Sequence, residues 1–215
     1  MKSIILLAAG LLLAGAVKAQ NVYGPLSDYS SNHFYDSKLG FEASVNVSNA
    51  VGTSSNSNFN AGALTGFTAG VSYELPVVFP FSIQSELLYS QKGFSAQTSN
   101  GNFTQRTQYI DVPVLAKFKV AGFVNLYAGP QVSFLAASSN SFSAGFNEGN
   151  KQFYASSNIN KTNFDGVLGI GFDVSSKFDV HAKYTIDLNQ TSANGNLYVP
   201  GYNNQVLQLG LGFKF

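Results

Sequence analysis

The stretch Gln208-Leu-Gly-Leu-Gly-Phe-Lys-Phe215, with Val206 and Leu207 before it, decides the fold. Taken two residues at a time it separates into two faces. Leu207, Leu209, Leu211, Phe213 and Phe215 fall on one, and Val206, Gln208, Gly210, Gly212 and Lys214 on the other. This is strand alternation, apolar against polar or small, ending on an aromatic. A soluble domain has little use for an exposed terminal Phe-Lys-Phe, whereas a barrel strand whose apolar face meets lipid places one readily.

Seven further runs upstream repeat the pattern, beginning near Phe41, Gly66, Phe81, Ile110, Val124, Phe164 and Phe178. The apolar face carries no charge in any of the eight. The opposite face carries eight of the eleven acids, Glu42, Glu74, Glu86, Asp111, Asp165, Asp173, Asp179 and Asp187, together with Lys92, Lys117, Lys183 and Lys214. A soluble barrel has apolar residues inside and charges outside. A polar interior, an apolar exterior and runs of about ten residues describe a transmembrane barrel.

The connections agree independently. Asn49 to Ala63, Gly93 to Arg106, Ala137 to Lys161 and Gln190 to Asn204 are long and rich in Ser, Asn and Gly. Between them, Pro76 to Pro80, Val120 to Gly122 and Ser175 to Lys177 are short. Long outer loops alternating with short periplasmic turns are the expected plan of such a barrel. The even strand count places both termini in the periplasm.

Met1-Lys2, an apolar run from Ile4 to Val17 and small residues before Gln20 read as a secretory signal peptide over residues 1–19, cut after Ala19. The run is too short for a transmembrane anchor, which needs about 20 apolar residues. A polar lead occupies 20–37, a periplasmic tail in preference to a plug, and the barrel domain 38–215. The chain has no Cys, so neither lipidation at a cysteine nor disulfides are expected. Removing Lys2 and Lys18 with the signal leaves ten bases against eleven acids, and nothing in that balance suggests nucleic acid. Charged residues make up 11% of the chain and Phe and Tyr are abundant, which suits a turn-rich β-protein.

The motifs that could carry chemistry are weak. His33 with Asp36 is too sparse for a metal site, which needs more convergent ligands. His181 shares the inner face with Asp179, Lys183 and Asp187. As a base it would point to a membrane-embedded, lipid-modifying enzyme, but no Ser or Cys is assignable as its nucleophile, and a satisfied lumenal network is the preferred reading. Gly166-Val-Leu-Gly-Ile-Gly171 lies inside an alternating strand with no helix after it, so a dinucleotide loop fails its context test. No catalytic residue, metal or cofactor is expected.

Inward charges in a narrow lumen need partners. Neighbouring-strand geometry predicts the pairs Glu42–Lys214, Glu86–Lys117 and Lys92–Asp111, within a structural network that also includes Asp179, His181 and Lys183.

Phe81-Ser-Ile-Gln-Ser-Glu-Leu-Leu-Tyr-Ser-Gln-Lys-Gly93, Tyr109-Ile-Asp-Val-Pro-Val-Leu-Ala-Lys117, Tyr127-Ala-Gly-Pro130 and the closing Gly-Leu-Gly-Phe-Lys-Phe resemble the PorT-like outer-membrane β-barrel family of Bacteroidetes-type bacteria. The resemblance covers roughly 38–215, with Asp111 where that family usually has Glu. It implies an eight-stranded outer-membrane barrel and carries over no catalytic residues. A shared fold does not transfer the founding member's link to secretion and gliding.

The expected architecture is therefore all-β: an eight-stranded, antiparallel, up-and-down transmembrane barrel with four long outer loops, monomeric and seated in outer-membrane lipid. Function is expected to be structural or surface-interactive, with an extracellular or envelope protein partner met through loop residues Phe142, Phe146, Phe153 and Tyr154. A narrow channel for small solutes is the alternative.

Overall fold

The alternation read from the sequence becomes a closed ring of antiparallel strands. A computed structural model describes residues 36–52, 61–98, 101–144, 147–153, 162–189 and 202–215. The expected signal peptide and most of the polar lead, His33 included, lie outside the described residues. The strands are β1 (Lys38–Gly52), β2 (Ala61–Val78), β3 (Phe81–Thr98), β4 (Gly101–Ala121), β5 (Val124–Ala144), β6 (Asn147–Phe153), β7 (Thr162–Asp173), β8 (Phe178–Asp187) and β9 (Tyr202–Lys214). β1 pairs with β9 from Gly40↔Lys214 to Gly52↔Tyr202, which closes the sheet. β4 pairs with β5, and β5 with β7, so eight strands form the ring. Among the described residues β6 pairs only with the far end of β5 and stands outside the ring.

Burial is inverted relative to a soluble protein. Leu168 is 64% and Leu209 61% exposed, while Asn46, Ser90 and Asp111 are fully buried. Closure removes every edge within the ring and leaves each apolar face on the outside, where lipid takes the place of a core. The lumen is packed by side chains, as expected for eight strands. Leu88, Tyr109, Leu115, Tyr127, Val167 and Val206 supply its apolar share. At the end with the short turns, Phe213 lies 4.9 Å from Phe178 and 5.0 Å from Phe215, and Phe41 5.6 Å from Phe215, between ring centroids. The terminal Phe-Lys-Phe is thus part of an aromatic cluster at one rim, where barrels carry their interfacial girdle.

The long connections are shorter than the hydrophobic pattern predicts. β3 and β4 stay paired out to Thr98↔Gly101, so nearly all of the expected link from Gly93 to Arg106 is hairpin. β5 continues to Ala144 and folds back as β6 within the expected loop from Ala137 to Lys161. β1 likewise runs on to Gly52. Apolar alternation fades where strands leave the lipid and the outer face meets water, but the backbone ladder continues without it.

Candidate functional site

Three layers of charge fill the lumen. Toward the long-loop end, the Lys92 ammonium lies 3.1 Å from Asp111 and 3.7 Å from Asp165, and 4.9 Å from the centre of the Tyr109 ring. Asp165 accepts hydrogen bonds from Gln131 at 2.8 Å and Ser133 at 2.5 Å. Asp187 Oδ2 accepts from the backbone and side-chain nitrogens of Asn204 at 2.9 and 2.8 Å. Lys92–Asp111 is the pairing predicted between neighbouring strands.

The middle layer spans the barrel. Lys183 on β8 donates to Glu42 Oε2 on β1 at 2.8 Å and to both oxygens of Glu86 on β3 at 2.6 Å. Gln84 donates to Glu86 at 2.7 Å. His181 holds Asp179 at 3.0 Å through Nδ1 and faces Glu42 at 3.4 Å through Nε2. Gly210 makes room for that ring: a Cβ there would sit 2.5 Å from His181 Nε2.

The third layer lies at the short-turn mouth. Lys214 is 3.1 Å from Asp179, 3.5 Å from Asp173 and 3.8 Å from Glu74. Lys117 donates to Glu74 at 2.7 Å and Lys119 to Asp173 at 2.8 Å. Ser82, directly opposite Lys117 in register, donates to Glu74 at 3.0 Å, and its small side chain lets Lys117 reach across β3. All of these except Asp179 line a cavity of about 350 Å³ that also includes Lys38, Asn125, Ser175 and Ser176.

Two of the predicted pairs are corrected. Glu42 binds Lys183 rather than Lys214, and Glu86 binds Lys183 rather than Lys117. The prediction paired adjacent strands, but the lumen is narrow enough for side chains to meet across it. Partners are therefore chosen by height along the barrel axis. Glu42 stands opposite Gly212, deeper than Lys214, whose ammonium turns to the mouth. Lys119 and Asn125 were not singled out from the sequence. Lys119 follows a run of alternation that ends at Phe118, and a buried Asn on a polar face has no pattern to mark it.

Of the aromatic loop residues, Phe142 falls in β5 and Phe153 in β6, while Phe146 and Tyr154 lie outside the described residues. Among the described residues no group of three or more His, Cys, Asp or Glu is placed to hold a metal ion.

With the geometry in place, the comparisons with known proteins agree on the fold. Ail, the attachment invasion locus protein of Yersinia pestis, crystallised with the heparin analogue sucrose octasulfate, superposes with a TM-score of 0.51 at 16% identity, covering 84% of this chain and 99% of Ail. A second crystal structure of Ail gives 0.50 at the same identity and coverage. Neisserial surface protein A gives 0.49 at 15% identity, over 82% of this chain and 97% of its own. No curated protein matches the chain in sequence. The family described as outer membrane protein beta-barrel domain matches residues 20–193. The closed eight-stranded ring with its apolar exterior is a barrel of the kind that description names, and the chain belongs to that family and to the outer membrane.

Proposed function

We propose that this barrel is a non-enzymatic surface-interaction protein, working through the hairpins that rise from its long-loop end. The observation that carries this reading is strand length. Among the described residues β4 and β5 run for 21 residues each, whereas β7 and β8 run for 12 and 10. A tilted strand crosses the bilayer in about 9–11 residues. The surplus of β3, β4, β5 and β6 therefore stands beyond the lipid on one side as a paired β-wall, a rigid mount for the aromatic residues at its tip. Rigid presentation lowers the ordering cost of binding.

The lumen supports the same reading. Its middle layer of Glu42, Glu86, Lys183 and His181 reaches across the interior with each residue at most 8% exposed, which disfavours a solute channel. Both nitrogens of His181 are committed to carboxylates and the residue is only 5% exposed, which disfavours a catalytic base. Ail was crystallised with a heparin analogue, but this chain's outer segments are rich in Ser, Asn and Phe and poor in charge, so a protein partner met through aromatic contacts fits better.

Within the family, PorT-like membership is supported by the motifs around Phe81–Gly93 and Tyr109–Lys117. Cleavage after Ala19 is supported by the family match beginning at residue 20. N-terminal sequencing of the mature protein from outer membranes is expected to start at Gln20.

A photo-crosslinking residue at Phe142, in intact cells, tests the interaction. A discrete adduct at Phe142 that is absent with the residue on the lipid face at Leu209 supports the reading. Failure of Phe142, Phe146, Phe153 and Tyr154 all to give an adduct refutes it. The purified protein in a planar bilayer is expected to be silent, and steady ohmic conductance would return the channel reading.

A further inference from the structure

Register fixes the edges of the apolar band on β3, β4 and β5. Its lower row is Phe81, Phe118 and Leu126, side by side in the sheet, and its upper row is Tyr89, Ile110 and Phe134. Between the rows each strand presents a mostly apolar outer face for about nine residues, the length a tilted strand needs to cross hydrocarbon. Phe67 lies 5.7 Å from Tyr89 between ring centroids, an aromatic pair of the kind that marks a membrane interface. Above the upper row the same face turns polar. Gln91 stands opposite Gln108, and beyond them Arg106 stands between Gly93 and Ser139.

Arg106 is the second observation. Its neighbour Thr107 is buried in the lumen opposite Lys92, so Arg106 leaves the barrel on the outer side, where it is exposed. Every other cation of the ring strands points inward: Lys92 and Lys183 are buried, and Lys38, Lys117, Lys119 and Lys214 line the mouth cavity. The acids of the ring strands all lie on the inner face as well, so no carboxylate there answers Arg106. Among the described residues its one hydrogen bond runs from Nη1 to Gln91 Oε1 at 3.4 Å, and Gly93 beside it brings no side chain to crowd it. A guanidinium carries five N–H donors, so most of this set faces outward unspent. The bond to Gln91 draws the guanidinium to one pleat above Tyr89. One pleat is about 7 Å along a strand and about 5 Å along the membrane normal at a tilt of about 40°. The headgroup layer of a leaflet is about 5–8 Å thick, so the guanidinium stands at the level of lipid phosphates.

From this we infer that the outer face above Tyr89 and Ile110 is a docking site for an outer-leaflet lipid that carries a phosphomonoester, with Arg106 as its anchor. The guanidinium fork meets two phosphate oxygens at once, a geometry an ammonium does not offer. Gln91 accepts from Arg106 through its carbonyl oxygen and keeps its amide N–H donors for the same phosphate. The acyl chains then lie below, on the apolar outer face of Ile110, Val112 and Phe134. A phosphate capped by choline brings its own cation toward the guanidinium and fits worse. A soluble phosphate gains the polar contact without the apolar one. The inference concerns the lipid-level base of the β-wall and does not rest on the surface-interaction reading, which concerns its tip.

Arg106 is the sole arginine of the chain, so its Nε–Hε NMR signal identifies itself. In maltoside micelles, titration with dihexanoyl phosphatidic acid is expected to move that signal saturably. Dihexanoyl phosphatidylcholine and orthophosphate at the same concentrations are expected to leave it in place. Retention of the phosphatidic acid in native mass spectrometry reads the variants. Arg106→Gln is expected to weaken retention about tenfold, the loss of a charge-assisted hydrogen bond. Lys177→Gln, on an exposed turn at the opposite end, leaves retention unchanged. A signal that phosphatidic acid does not move, an equal response to phosphatidylcholine or orthophosphate, or undiminished retention in Arg106→Gln overturns the inference. A heat-dependent gel shift in each variant confirms that the barrel has formed.

Discussion

Replacing Lys183 by Met removes the cation on which the middle layer depends. The ammonium donates to both oxygens of Glu86 at 2.6 Å and to Glu42 at 2.8 Å, and all three residues are at most 8% exposed. Breaking a buried ion pair by deleting one partner costs about 3–5 kcal/mol, because the remaining charge is stranded out of water. Two carboxylates are stranded here, but unequally. Glu42 keeps the imidazole of His181 at 3.4 Å, while Glu86 keeps a neutral donor, Gln84, at 2.7 Å. Glu86→Gln in the Lys183→Met background should therefore recover more stability than Glu42→Gln. Lys183→Met with both glutamines should approach wild type, since a neutral isostere of a buried ion cluster is often no worse than the cluster. The assay is urea unfolding in lipid vesicles, followed by loss of the folded band on an unheated gel. With m near 2 kcal/mol/M, the single variant should lower the midpoint by roughly 2 M. A drop under about 0.5 M, or a better rescue by Glu42→Gln than by Glu86→Gln, would refute the argument that this layer is held by Lys183.

The remaining predictions probe the two faces and the outer hairpin. Leu209→Arg places a charge on the lipid face at mid-strand and should cost about 2–4 kcal/mol in vesicle unfolding; a neutral result would mean that this face does not meet hydrocarbon. Gly70→Ala drives a methyl against the backbone of β3, with Leu88 Cα only 2.8 Å away, and should cost about 1–3 kcal/mol. Gly166→Ala, whose nearest atoms are 3.8 Å off, should be close to neutral in the same assay, and equal costs would contradict the packing described. Deleting 138–160 removes the outer end of β5 with β6 and should leave the heat-dependent gel shift intact while abolishing the crosslinked adduct; loss of the shift would mean the hairpin is needed to close the barrel.

Much of this barrel is legible in the chain itself. Strict two-residue alternation puts Leu207, Leu209 and Leu211 on one face and Gln208, Gly210 and Gly212 on the other whatever the strands pair with, and the choice of solvent for each face follows from which one carries the charges. The alternation of short and long links then orders the strands and orients the ends. Strand ends were less legible, because above the lipid neither face is selected for hydrophobicity while the ladder of β3 with β4 runs on to Thr98. The charge partners belonged to tertiary structure alone. Lys183, Glu42 and Glu86 come from three strands that are not neighbours in the ring, and only the closed barrel brings them to one height across a lumen narrow enough to bridge.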